Sequence, residues 1–410
     1  MYDVYKIRKD FPMLDGKKMQ GKPLVFLDNA STTFKPRQVI EAINRYNSEM
    51  TSNSHRGDYD LCYFMDQEIS KCREAVAEFV NSDVNEVVFT SGDTAGLNLI
   101  AYSYGLSFLK KGDGILISEL EHASNTLPWF RLKELLGIEI YFVDIDGISI
   151  TVENVKKAFK THTNIKIVSF AHVSNVTGEV IDAKAISKVA HDNGAILVLD
   201  GAQSVPHMKT DFKDLYVDFL TFSAHKMCGP TGIGALIGKY ELLDKMPPFT
   251  LGGGMNVDFN NDGTYIPLEA PVKFEAGTLN LEGIMGFRAA VEYITSLGVE
   301  NIEEHEKELH TYLNNQIKDI EDIEVYNKDS QSIFTFNVKG VFPQDEATLL
   351  NSKGIAVRSG LHCAKMIDNV LKTIATVRMS TYLYTSKEDI DAFVNALKEK
   401  GDILDAYFHD

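Results

Sequence analysis

From residue 75 to 240, short apolar runs alternate with amphipathic stretches, and no other feature limits the fold as strongly. "EVVFTSG", "GILISEL", "IEIYFVDI", "IKIVSFAHVSN", "AILVLDGAQ", "VDFLTFSAHK" and "IGALIGK" read as strands. "TAGLNLIAYSYG" sets Leu97, Ile100, Ala101 and Tyr104 at a helical period, and "AKAISKVAHDNG" is a helix that ends at Gly194. Near-continuous apolar strands separated by helices need cover on both faces, which predicts an α/β domain with a parallel sheet. Ligands of such sheets gather at the carboxyl ends of the strands. That rule directs attention to Thr94, His122, Asn175, Asp200 to Gln203, and Ser223 to Lys226.

The texture changes after about residue 285. "EGIMGFRAAVEYITSLG" and "EEHEKELHTYLNNQI" read as long helices, and "QSIFTFNV" and "GIAVRSG" as strands. The tail "TSKEDIDAFVNALKEKG" opens with Ser386 as N-cap and Asp389 three positions on, ahead of Ile390, Phe393, Val394 and Leu397. The expected division is an N-terminal segment 1–25, a large domain 26–285 and a smaller α+β domain 286–410, with the N-terminal segment packing on the smaller one.

A formal net charge of −17 over 410 residues argues against nucleic acid or an anionic membrane as partner. Hydrophobic residues make up 44% and charged residues 24%, so a sizeable core needs no staple. The four cysteines, Cys62, Cys72, Cys228 and Cys363, form neither a CxxC pair nor a zinc cluster, and no metal site is expected. So few thiols suit a reducing compartment. The stretch "MYDVYKIRKDFPML" lacks an apolar signal core, and no run of 18 apolar residues occurs, so the expected location is the cytoplasm. The run "DFNNDGTYIPLE" fits a calcium-loop pattern in full, but Pro267 and the lack of flanking helical pattern argue for a solvated loop.

"FSAHKMCGP" places Lys226 where a buried strand gives out. Such a lysine must reach water or form a bond that removes its charge. Asp200 closes the strand "AILVLD", and a mostly buried carboxylate needs a cation or donors. Two readings stay open at this point. The pair forms a salt bridge, or both serve a cofactor with a cationic ring nitrogen and an aldehyde that condenses with the lysine, as pyridoxal phosphate requires.

A set of motifs runs through nearly the whole chain in one order: "LDNASTT", "SHRG", "EHASNTLPW", "SNVTG", "DGAQSVPH", "SAHKMCGPTGIG", "FEAGT", "RSGLHCA" and "VRMS". Together they resemble the class V aminotransferase-fold pyridoxal phosphate enzymes, and within them the SufS-type cysteine desulfurases. The resemblance implies fold type I of the pyridoxal phosphate-dependent transferases. That is a large domain with a mainly parallel seven-stranded sheet plus a smaller α+β C-terminal domain. It also implies a homodimer, L-cysteine as substrate, and a sulfur-acceptor protein of the SufE or SufU type in iron–sulfur cluster assembly or another sulfur-transfer pathway.

By the same resemblance, Lys226 carries the cofactor aldehyde and moves the proton at the substrate Cα, Asp200 pairs with the ring nitrogen, and His122 lies over the ring. Gln203 donates to the phenolic oxygen, with Asn175 near that oxygen and the substrate carboxylate. Thr94, Ser223 and His225 bind the phosphate; Thr94 suits this because it begins a helix, whose free N–H groups favour an anion. Thr278 reaches the phosphate of the neighbouring subunit. Arg378 grips the substrate carboxylate, a task that suits a planar fork. His55 lies on the substrate side. Cys363 is the thiolate that attacks the substrate sulfur, and the basic neighbours Arg358 and His362 favour its ionised form.

The chain departs from the family pattern at several positions. Asp93 stands where a threonine is usual beside the phosphate, which requires it to turn away and cap the helix. Leu361 replaces a histidine before the cysteine, Tyr59 stands where a histidine is common, Ala224 where glycine is usual, and Leu279 where proline often follows. These bear on the substrate and the sulfur acceptor more than on the cofactor. Another class V activity (selenocysteine lyase, kynureninase-like hydrolase or transaminase) and a catalytically silent binding protein stand as alternatives.

Overall fold

The computed structural model describes residues 2–54, 57–328, 330 and 332–399. Seven strands form one sheet: β1 (Val87–Thr90), β2 (Gly114–Ile117), β3 (Glu139–Phe142), β4 (Ile165–Ala171), β5 (Ile196–Asp200), β6 (Phe219–Ser223) and β7 (Gly234–Gly238). Their order is β1-β7-β6-β5-β4-β2-β3, and β7 alone runs antiparallel to its neighbours. β7 reverses because the link from β6, residues 224–233, carries no crossover α-helix, and it turns through left-handed backbone at Cys228 (φ 62°) and Gly232 (φ 74°). A short turn can join only antiparallel strands; the parallel pairs are joined through helices.

Alternate side chains of each strand enter opposite cores, as the two-residue period requires. Leu197 and Leu199 of β5 join one apolar cluster with Phe222, while Val198 joins another with Phe219. The helices Asp60–Phe79 and Leu281–Leu297 close the first side. Leu97, Ile100, Trp129 and Leu132, from the helical stretches after β1 and β2, close the second.

The C-terminal elements build a four-stranded antiparallel sheet from β8 (Ile323–Val325), β9 (Ile333–Val338), β10 (Arg358–Gly360) and β11 (Thr376–Ser380), in the order β8-β9-β11-β10. The helix Lys387–Lys398 starts with the capping box read from sequence, Ser386 and Asp389 each bonding the other's backbone N–H. Residues 25–27 join this unit: Val25 and Phe26 pair in parallel with Ile355 and Ala356, and Val25 and Leu27 enter the C-terminal apolar cluster. The calcium-like run falls in a hairpin of Asn256–Phe259 with Tyr265–Pro267. Among the described residues, no helix is long and apolar enough to cross a membrane.

Candidate active site

The carboxyl ends of β5 and β6 open onto a cavity of about 210 Å³. Thr94, His122, Asn175, Asp200, Gln203, Ser223, His225, Lys226, Arg358 and Arg378 all line it. Six strands point their carboxyl ends the same way, so loops far apart in sequence reach one rim.

Lys226 lies in the turn directly after β6, where no further strand pairing is available to it. Its amine forms no hydrogen bond or ion pair among the described residues. Burial lowers its pKa, opposed by the charges of Asp200 and Asp93. Asp200, 4% exposed, accepts a bond from Ala202 N at 2.9 Å. No direct ion pair joins the two, which corrects the salt-bridge reading; they face a shared space instead.

The surrounding groups are already fixed. Ser223 Oγ accepts from Asp93 N at 2.8 Å, and Thr94 Oγ1 lies 2.7 Å from Ser124 Oγ. His225 Nδ1 is 3.2 Å from Thr32 Oγ1, and burial together with Lys226 pushes its pKa down to about 4. His122 accepts from Ser124 N at 3.2 Å; burial, then the Lys226 charge, lowers its pKa. Its loop hangs on buried Glu121, which accepts from Ser118 Oγ at 2.6 Å, Asn125 Nδ2 at 2.7 Å and Ala171 N at 2.8 Å. Gln203 donates to Ala30 O at 2.8 Å, which leaves its second amide hydrogen free to turn to the cavity.

Asp93 does not cap its helix. Gly92 occupies the N-cap, and the Asp93 carboxylate turns inward to accept from Thr221 Oγ1 at 2.5 Å. The side chain is 6% exposed, and burial, then the charge of Asp200, raises its pKa to about 8. Burial therefore favours the uncharged acid, which does not repel an anion near Thr94. Burial removes the conflict that outward capping was expected to remove.

Cys363 is exposed, with its sulfur 3.4 Å from Arg358 Nη2; Cys62, Cys72 and Cys228 are buried. The loop around Cys363 is held in left-handed backbone, with φ 52° at His362 and 61° at Cys363. Two bonds hold it there, Ala123 N to Cys363 O and Asn175 Nδ2 to His362 O, each 2.8 Å. One expectation is corrected at this loop. His362 is 3% exposed, and burial pushes its pKa down to about 2. It is neutral, so Arg358 is the cation beside the sulfur.

Thr278 is exposed in a neighbouring cleft with Phe249, Asn280 and Thr94, outside the Lys226 cavity of its own chain. His55 lies outside the described residues. Sequence reading passed over Asp28, Ser31 and Ser124 as individual groups, although "LDNASTT" and "EHASN" were in view. The available signal was a cluster of hydroxyls directly after a strand end.

Residues 25–393 match the family model described as aminotransferase class-V. The chain belongs to that family. Class V aminotransferases of this kind are pyridoxal phosphate-dependent enzymes. Over 403 residues the chain is 42% identical to a probable cysteine desulfurase of Halalkalibacterium halodurans, covering 97% of this chain and 98% of that one. It is 41% identical over 406 residues to a probable cysteine desulfurase of Staphylococcus aureus strain Mu50, covering 97% of both. Among solved structures, the cysteine desulfurase CsdA of Escherichia coli (in an S-sulfonic acid form) superposes with a TM-score of 0.90 at 32% identity, covering 97% of this chain and 98% of that one. The apo cysteine desulfurase of Thermococcus onnurineus NA1 superposes at 0.91 and 34% identity with the same coverage.

Proposed function

We propose that this protein is a SufS-type cysteine desulfurase that converts L-cysteine to L-alanine and keeps the sulfur as a persulfide on Cys363. The observation that carries the reading is an unpartnered Lys226 amine facing buried Asp200, with the one exposed cysteine thiol among the described residues beside Arg358 at the same rim. The residues fit pyridoxal phosphate: a buried amine of lowered pKa is a nucleophile, and Asp200 suits a cationic ring nitrogen. When bound, that group supplies the sink for the electron pair at the substrate Cα.

The protein's own groups divide the remaining tasks. Lys226 exchanges the proton at Cα, and neutral His122 covers the cavity from the Ser124 side. Thr94, Ser223 and His225 would hold the phosphate, with Thr278 contributed across a homodimer, and Asn175 and Gln203 would serve the phenolic oxygen. Arg378, 1% exposed with its Nε unpartnered among the described residues, meets the substrate carboxylate, and His55 flanks the substrate. The Cys363 thiolate attacks the substrate sulfur. The new S–S bond forms as the C–S bond breaks, and the carbon left behind is protonated to give alanine. A sulfur-acceptor protein of the SufE or SufU type then takes the terminal sulfur, in iron–sulfur cluster assembly or another transfer pathway of the cytoplasm.

The test is incubation of the purified protein with L-cysteine and a reductant, assaying alanine and sulfide together. Both should appear in equal amounts, and Cys363→Ala should lose about 100-fold or more of the rate. Alanine release unchanged in Cys363→Ala would sink the persulfide route.

A further inference from the structure

Three charged side chains from separate parts of the chain meet at a single hydroxyl. Ser31 Oγ donates to Asp28 Oδ1 at 2.7 Å and accepts from Arg358 Nη1 at 3.0 Å and Arg378 Nη2 at 2.9 Å. One donated and two accepted bonds are all a hydroxyl can make. The two arginines stand directly opposite each other on β10 and β11. Like charges in that register repel, and Asp28, 3.1 Å from Arg378 Nη2, offsets part of the repulsion. The remaining guanidinium atoms have separate tasks. Arg358 Nη2 lies 3.4 Å from the Cys363 sulfur, Arg378 Nη1 donates to Asn175 O at 2.7 Å, and buried Arg378 Nε has no partner among the described residues. Ser31 itself lines the Lys226 cavity.

We propose that Ser31 is a positioning residue, whose hydroxyl sets Arg358 on the nucleophile sulfur and Arg378 on the substrate carboxylate at a fixed separation. This rests on the roles given above to Arg378 and Cys363. One bridging group links the two, so a variant that lacks the hydroxyl loses both placements together. Substrate binds less well because Arg378 Nη2 then keeps only Asp28 and loses the hydroxyl that fixes it relative to Arg358. The sulfur reacts more slowly because Arg358 swings away from it.

The experiment compares Ser31→Ala, Ser31→Thr and Ser31→Val with the unaltered protein, each folded with cofactor bound. One readout is KM and kcat for L-cysteine by alanine release. The other is the rate of iodoacetamide alkylation at Cys363 in the resting protein, read by mass at that peptide; the other three cysteines are buried. Ser31→Ala and Ser31→Val should raise KM about 10-fold with a smaller change in kcat, and slow alkylation about 3-fold. Ser31→Thr should restore both. Threonine and valine match in shape, so their difference reports the hydroxyl alone and decides the matter should Ser31→Ala destabilise the fold. Equal loss in the threonine and valine variants, or a change in only one readout, overturns the proposal. Should the unaltered protein release no alanine from L-cysteine, the substrate reading fails, and the alkylation arm still decides the role of Ser31.

Discussion

Lys226 and Asp93 show how burial in one cavity shifts a base and an acid toward their neutral forms. Burial favours the neutral amine at 226 and the neutral acid at 93, and the Asp200 charge adds to the cost of ionising Asp93. With the proposed pyridoxal phosphate bound, the purified protein should be yellow, and replacing Lys226 with alanine should remove that absorbance, read by spectrophotometry. For Asp93 the folded pKa, about 8, lies above the ordinary carboxyl value of 3.8, with Asp200, Lys226 and Thr221 facing the group. The folded state therefore holds more protons between those values, and stability falls as pH climbs through that window. Asp93→Asn keeps the acceptor for Thr221 and removes the titration. In cofactor-free protein, its melting temperature should gain on the wild type as pH rises from 5 to 8. A constant difference across that range would contradict the shift.

Strand ends and the loops that follow them carry the site residues, and buried polar pairs set where several of those loops lie. The "FEAGT" loop is tied down by Glu275, which takes a two-pronged pair with Arg73 at 2.8 Å and accepts from Phe89 N at 2.8 Å. Both partners are almost fully buried, so breaking the pair leaves a charge without water. Glu275→Gln should cost about 3 kcal/mol in denaturant unfolding and displace Thr278 as well. At the far end of the chain, Ser386→Ala removes half of a capping box and should cost about 1 kcal/mol. An unfolding midpoint unmoved by either substitution would show that these bonds do not hold their elements.

At the scale of the whole molecule, the cleft around Thr278 is open beside Phe249, and the nearby hairpin exposes Val257, Phe259 and Ile266. In the proposed homodimer, a second copy packed there would bring Thr278 toward the cavity of its neighbour. Sedimentation at micromolar concentration should show a dimer. Thr278→Val should weaken retention of the cofactor on dialysis, although the residue lies outside the cavity of its own chain. A monomer that retains cofactor fully in Thr278→Val would refute a shared site.

The strand and helix rhythm, the parallel sheet and the carboxyl-end rule were legible in the sequence because apolar periodicity is local and is decided residue by residue. So were Lys226 and Asp200, each sitting at the end of a buried strand where a charge is out of place. The state of Asp93 and His362 was not legible, since protonation depends on what packs around a group. Nor was the meeting of Ser31 with Arg358 and Arg378, which are more than 300 positions away. Only folding of the stretch around Ser31 against β10 and β11 brings one hydroxyl within reach of both guanidinium groups.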